Sequence, residues 1–214
     1  MKFIAIPCPL CQSQSVAPYH QDKDAHYLSC SRCDLVFMDK AYHLSEKQEK
    51  LRYDQHQNNP DDRNYQAFLS QVFKPVKAQI KKGAKGLDFG SGPGPTLSLM
   101  FEKSGHQMDL FDKFYANNPE VFQRHYDFIT ATEVFEHLSD PGFELERLFA
   151  TLKIGGVLAI MTQMITKEVD FPTWYYKNDP THICFFSKKT MRYLAQQWGV
   201  KVKFFAGNVV LFTS

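Results

Sequence analysis

From Lys85 onward the chain alternates between two rhythms. The apolar runs "KGLDF", "HQMDLF", "YDFITATEV" and "GGVLAIMTQMI" read as strands, and the last is apolar enough to be buried on both faces. Amphipathic stretches separate them. "PTLSLMFEK" is opened by Pro95 and closed by Gly105, "PGFELERLFATLK" runs up to Ile154-Gly155-Gly156, and "KKTMRYLAQQW" lies between Ser187 as N-cap and Gly199. At the end, "VKVKFF" and "VVLFTS" flank a tight "AGN" turn and predict an antiparallel hairpin. Strands alternating with helices imply an α/β fold: a parallel sheet covered on both faces, with the hairpin as an antiparallel edge.

Upstream the pattern differs. "SEKQEKLRYDQ" is charged and amphipathic, and "DDRNYQAFLSQVFKPVKAQIKK" places Tyr65, Phe68, Leu69, Val72 and Phe73 at helical spacing. Pro75 is expected to kink or restart that second helix, and Asn58-Asn59-Pro60 to form the loop between the two. Residues 1–40 show little periodicity, except that "HYLSCSRCDLVFMD" alternates enough for a short hairpin. The expected organisation is a small module over 1–40, a helical connector over 41–82 and a main domain over 83–214.

Composition narrows the class. Hydrophobic residues make up 43% and charged ones 22%, the balance of a soluble globular protein. A net charge of +2 gives no strong pull toward nucleic acid or anionic lipid. No apolar run approaches a membrane span, and "MKFIAIPCPL" is too short for a signal-peptide core, so a cytoplasmic location is expected. Nothing in the pattern specifies an oligomer.

Four of the five cysteines, Cys8, Cys11, Cys30 and Cys33, form two pairs spaced C-x2-C-x18-C-x2-C. In a reducing compartment such pairs mean metal or redox chemistry rather than disulfides. Four thiolates on two knuckle turns suit Zn2+ in a closed, structural site, with an iron–sulfur centre, a redox dithiol or no metal as the other readings. Residues 1–40 carry four Lys/Arg and four Asp, so this zinc ribbon lacks the clustered positive charge that phosphate binding needs. Cys184, between Ile183 and Phe185, reads as a small buried apolar residue.

The stretch "LDFGSGPGP" carries the chemistry of the main domain. Gly90, Gly92 and Gly94 follow a strand and open a helix. A P-loop needs Gly-Lys-Ser/Thr, and here Pro95-Thr96 follow Gly94. A dinucleotide fold wants G-x-G-x-x-G, and Pro95 fills the position of its third glycine. S-adenosylmethionine suits the remaining features. Asp88 can attract its ammonium, loop amides and the helix start can receive its carboxylate, and Asp112, at the end of the second strand, can accept the ribose hydroxyls. A plain tight turn remains the simplest alternative.

In their order, "LDFGSGPG", "LFD", "YDFITATEVFEHL" and "LKIGGVLAIMT" resemble the motifs of class I S-adenosylmethionine-dependent methyltransferases. "EVFEHL" and "DPTHICFFS" are similar to the branch with ubiquinone-pathway O-methyltransferases and other small-molecule methylases. The resemblance covers roughly residues 50–214 and implies a Rossmann-like, seven-stranded, mostly parallel sheet with the terminal hairpin. It implies that Asp88, Gly90, Gly92 and Asp112 touch the cofactor, with Gly94 in the same loop, and that Glu133 lies beside cofactor and substrate. "YDQHQN", with His56, is similar to a segment that covers the cofactor, and "DPTHICFFS" to one that closes over the active site. The chain departs from the family in having only 13 residues, Lys113 to His125, for a helix and third strand, so that strand is expected to be short or absent. The ribbon resembles the leader of some sugar and other small-molecule methylases, and some ribosomal RNA methylases also begin with a zinc module.

Methyl transfer is a displacement that needs an oriented acceptor and exclusion of water. An oxygen acceptor gains from a general base. His137, after the fourth strand, and His182, in the aromatic loop after the fifth, are the candidates, each alternatively a group that fixes loop geometry. Asp179 either orients His182, binds substrate or caps the turn at Pro180, and Trp174, Tyr175 and Tyr176 either line an acceptor pocket or pack the loop. Glu136 and Glu144 read as solvated helix residues. The favoured function is O-methylation of a small molecule, and the alternative is a methyltransferase or binding module that recognises RNA or a protein.

Overall fold

In the computed structural model, residues 6–55, 59–205 and 208–214 are described. In chain order the elements are β1 (Val16–Gln21), β2 (His26–Cys30), β3 (Val36–Met38), α1 (Glu46–Tyr53), α2 (Arg63–Lys77), β4 (Lys85–Phe89), α3 (Thr96–Lys103), β5 (Gln107–Phe111), β6 (Tyr126–Thr132), α4 (Pro141–Ala150), β7 (Leu152–Met161), β8 (Met164–Ile165), β9 (Cys184–Ser187), α5 (Lys188–Trp198), β10 (Lys201–Phe205) and β11 (Val209–Thr213).

The main sheet has the order β10-β11-β7-β6-β4-β5. Strands β7, β6, β4 and β5 run parallel, and the β10/β11 hairpin joins antiparallel along β7. The pattern of apolar runs predicted this arrangement, but the strand count is six among the described residues rather than seven. The segment after β5 makes a single bridge, Asp112 to Ala116, and one 3-10 turn over Pro119–Gln123, then enters β6. Thirteen residues are too few for a helix, a strand and their connections. Phe122 instead tucks its ring against Phe89 and Phe111.

Successive strands β5 and β6 lie on opposite sides of β4. The order therefore reverses at β4, and a crevice opens beyond its carboxyl end, where ligands sit in open α/β sheets. The close β4–β6 approach depends on Gly86, where a Cβ would fall 2.4 Å from the Phe128 ring.

On one face of the sheet α2 buries Leu69, Val72 and Val76 in a cluster with Phe101, Phe128 and Val209. Pro75 neither stops nor restarts this helix, which continues to Lys77. So close to the helix end the missing N–H costs a single hydrogen bond, and Ala78 N–H still reaches Lys74 O. Ser187 caps α5 through Thr190 N–H, and Gly199 closes it in the left-handed conformation, both as expected.

A second sheet, in the order β1-β2-β3-β9-β8, was not foreseen. The hairpin around the second cysteine pair forms as β2/β3, and β3 then pairs antiparallel with β9, Val36 to Phe185 and Phe37 to Cys184. The ribbon and the segment after β7 are thus one sheet. Buried Lys177 meets Asp22 across the same junction, and Asp34 accepts from Ser187 and Lys189.

Candidate active site

A cavity of about 630 Å³ opens beyond the carboxyl ends of β4, β5 and β6. The glycine loop forms one wall. Gly90 and Gly92 have φ of +75° and +64°, and a Cβ on Gly90 would lie 2.3 Å from Val134, so the loop passes where no side chain fits. Gly90 and Ser91 donate their N–H groups to Phe111 O, which pins the loop to the end of β5. Gly94 lines the cavity just before α3.

Two carboxylates flank the loop. Asp88 is buried; its Oδ1 accepts from Thr130 at 2.7 Å and its Oδ2 from Ser98 at 2.9 Å. Burial pushes its carboxyl up to about 6 against the pull of those two hydroxyls. Asp112 accepts from Gly92 N–H at 2.9 Å with Oδ2, and from the amides of Phe114 and Tyr115 with Oδ1. The acid at the end of β5 therefore shapes both the glycine loop and the turn beside it, and both acids line the cavity.

The opposite wall follows β6. Glu133 has φ of +51°, a left-handed conformation that costs a non-glycine residue about 1 kcal/mol or more. Its N–H holds Met161 O at 2.8 Å. Burial, reinforced by the neighbouring charge of Glu136, raises its carboxyl to about 8. Glu136, expected to be solvated, is fully buried, and burial raises it too. A 3-10 turn over Phe135–His137 folds it inward, where Tyr176 O–H donates to Oε1 at 2.5 Å. Glu144 is likewise drawn in, half-buried against Arg147, because the short 113–125 segment leaves the Arg147 guanidinium stacked on Phe122.

Both sequence-picked histidines reach this wall. His137 Nδ1–H donates to Thr181 O at 3.0 Å, and His182 Nδ1–H to Tyr176 O at 2.6 Å. A carbonyl partner places a proton on Nδ1 of each ring. The rings lie 4.7 Å apart, and burial, followed by His137, lowers the pKa of His182. Tyr176 serves this wall, Trp174 packs against Phe171 and Phe185, and Tyr175 is exposed. Asp179 caps its own turn through Thr181 N–H and Oγ1 and also binds Arg52 of α1 at 2.8 Å. Burial would raise its carboxyl, but Arg52 and Thr181 outweigh it and hold the group well below the usual range. Arg52, 127 positions from its partner, gave no sequence signal. His56 lies outside the described residues.

The four ribbon cysteines converge away from the cavity. Cys8 and Cys33 sulfurs are 3.5 Å apart, Cys11 and Cys30 sulfurs 3.6 Å, and all four lie within 4.8 Å of one another. Zn–S bonds of about 2.3 Å place tetrahedral sulfurs about 3.8 Å apart, so the quartet fits zinc with small adjustment. Cys184 is buried and donates to Leu138 O, as its apolar neighbours suggested.

Residues 31–203 match the family model described as a methyltransferase domain. The chain belongs to this family. It is a methyltransferase with a Rossmann-like fold that solved S-adenosylmethionine-dependent methyltransferases share. Among solved structures, the methyltransferase is similar to 1,6-didemethyltoxoflavin-N1-methyltransferase from Burkholderia thailandensis, determined with bound 1,6-didemethyltoxoflavin and S-adenosylhomocysteine. The two are 17% identical with a TM-score of 0.55 over 92% of this chain and 96% of that one. It is also similar to an S-adenosylmethionine-dependent methyltransferase from Archaeoglobus fulgidus, at 14% identity and TM-score 0.53 over 70% of this chain and 94% of that one. At these identities the likeness is one of fold. No curated protein sequence matches the methyltransferase. Among its described residues no helix is long and apolar enough to cross a membrane.

Proposed function

We propose that this enzyme methylates an oxygen of a small molecule, and that the cavity at the end of β4 holds both cofactor and acceptor. The supporting observation is the juxtaposition, in one cavity, of a glycine loop flanked by two acids and a wall carrying Glu133, His137 and His182, with Glu136 buried behind it. A volume of about 630 Å³ lies within the range of about 300–1,000 Å³ typical of small-molecule sites.

In this reading the loop at Gly90, Gly92 and Gly94 lets the amino-acid tail of S-adenosylmethionine approach backbone. Asp88, with both oxygens already accepting hydroxyl protons, acts on the ammonium as a fixed negative charge. Asp112 takes the ribose hydroxyls while its hold on Gly92 N–H keeps the loop in place. When bound, the cofactor supplies a sulfonium-activated methyl group. Glu133, His137 and His182 face the acceptor and orient its nucleophilic oxygen, and an imidazole receives its proton. Proton-accepting groups favour oxygen, because a hydroxyl must be deprotonated as it attacks, whereas a neutral amine brings a free lone pair.

Cys8, Cys11, Cys30 and Cys33 hold a structural Zn2+ in this reading. Four protein ligands leave no open position, so the ribbon's part is to support β9 and the loop carrying His182. A polymer acceptor is not favoured, since the ribbon's acids pair with the enzyme's own lysines and its basic residues are few.

The test supplies methyl-labelled S-adenosylmethionine to the zinc-loaded enzyme with a cell extract divided into small-molecule, RNA and protein fractions. Label is expected in the small-molecule fraction, as a methyl ether. Label confined to RNA or protein would overturn the assignment.

A further inference from the structure

Only 13 residues, Lys113 to His125, join β5 to β6, and β5 is the edge of the main sheet. Helix α4 therefore walls the cavity on that side. Glu144 and Arg147, three positions apart and so on one face of α4, line it together with Phe111 and Leu138. Phe111 immediately precedes Asp112, the proposed ribose partner. The pair thus stands at the end of the cavity that the methyl-transfer reading gives to the nucleoside.

Four phenyl rings box the guanidinium of Arg147. Its central carbon lies 3.6 Å from the ring centre of Phe122, 5.2 Å from Phe111, 5.5 Å from Phe143 and 6.0 Å from Phe89. A cation packed this way has little freedom to swing, and it donates through Nη2 to Glu144 Oε2. That bond uses half of the carboxylate. Glu144 Oε1 has no hydrogen-bond partner among the described residues, and it is not sealed in as Glu133 Oε1 is. Burial raises the Glu144 carboxyl against the pull of Arg147, so a further donor at Oε1 would favour its charged form. The other charged groups nearby are engaged. Lys113 pairs with Glu46 and Glu49 of α1, and Asp112 holds three backbone amides.

We propose that Glu144, held in place by Arg147, recognises the 6-amino group of the cofactor's adenine. An ionised carboxylate only accepts hydrogen bonds, and the amino group is the N–H donor on the adenine edge. The inference rests on the methyl-transfer reading of the same cavity and says how that cavity selects its purine. Selection follows from the cost of the alternative: a purine without the amino group would cover a half-buried carboxylate oxygen and leave it without a donor.

The experiment titrates the zinc-loaded enzyme calorimetrically with S-adenosylhomocysteine and with the analogue whose purine carries hydrogen at C6 in place of the amino group. Wild-type enzyme is expected to prefer S-adenosylhomocysteine by about 10–100-fold, the worth of a hydrogen bond to a charged group. Glu144→Ala should bring the two affinities close to parity. Glu144→Gln keeps a neutral carbonyl in the same place, so its preference should fall below that of wild type without vanishing. If Glu144→Ala shows no cooperative unfolding in urea, Glu144→Gln carries the test. Wild-type enzyme that binds both ligands equally would overturn the assignment and leave methyl transfer standing. So would a preference that the folded variants retain in full, which would move recognition to Asn117, a neutral amide that also lines the cavity. Binding of neither ligand by wild-type enzyme would overturn the methyl-transfer reading and this inference with it.

Discussion

At the scale of single residues, the two acids flanking the glycine loop differ in what their removal should do. Asp112 accepts three backbone amides and is the proposed ribose partner. Asp112→Ala should weaken S-adenosylhomocysteine binding about 10–100-fold, the worth of charged hydrogen bonds of about 1.5–3 kcal/mol, as calorimetry would register. Asp88 destabilises the fold when ionised. Its folded pKa, about 6, lies above the ordinary aspartate value, so the folded chain binds more protons across that window and loses stability as pH rises through it. Two units correspond to at most about 3 kcal/mol. Asp88→Asn lacks this penalty, so its stability relative to wild type, from urea unfolding of the zinc-loaded chain, should increase between pH 5 and pH 7. A difference independent of pH would contradict the burial argument. The convergence of Asp88, Gly90 and Asp112 on one cavity and of the cysteine pairs on one cluster was legible because each group is placed by local spacing around a turn. Glu136 was misread as solvated because its burial comes from Tyr176, 40 positions away, and the Arg52–Asp179 pair was invisible for the same reason.

At the scale of elements, α1 stands apart. None of its residues is buried, and it is tied to the cavity rim by Arg52–Asp179, by Lys113 with Glu46 and Glu49, and by Tyr115–Asp54. Half-exposed ion pairs contribute about 0–1 kcal/mol each and weaken with salt. Arg52→Ala should therefore speed amide exchange over 46–53 while global stability changes by less than about 1 kcal/mol. Equal protection in variant and wild type would show that α1 is held by something else. The sequence pattern captured the long apolar strands and capped helices because burial on one or two faces leaves a period. It missed β8 and β9, whose two and four residues are too short to show one, and with them the second sheet. The lost strand between β5 and β6 was foreshadowed by chain length alone.

At the scale of the whole molecule, the β3–β9 pairing makes the ribbon a support for the acceptor wall. Met38 N–H donates to Ile183 O, next to His182, and the Gly142 N–H of α4 donates to Pro9 O in the first knuckle. A Cβ on Gly142 would lie 2.6 Å from Leu10 O, so the knuckle docks against bare backbone. Chelating the zinc should raise hydrogen exchange in β2, β3 and β9 together and leave β6 and β7 protected, because one face of the main sheet packs under α2 and α3 in a core that contains no ribbon residue. Loss of protection confined to residues 6–38 would show the ribbon to be a separate unit.

The central claim is that the turn after β4 cradles S-adenosylmethionine, and calorimetric titration of the zinc-loaded chain with S-adenosylhomocysteine tests it most directly. The account predicts one site per chain, lost or strongly weakened in Asp112→Ala. No heat from S-adenosylhomocysteine, or saturable binding that Asp112→Ala leaves unchanged, would contradict it.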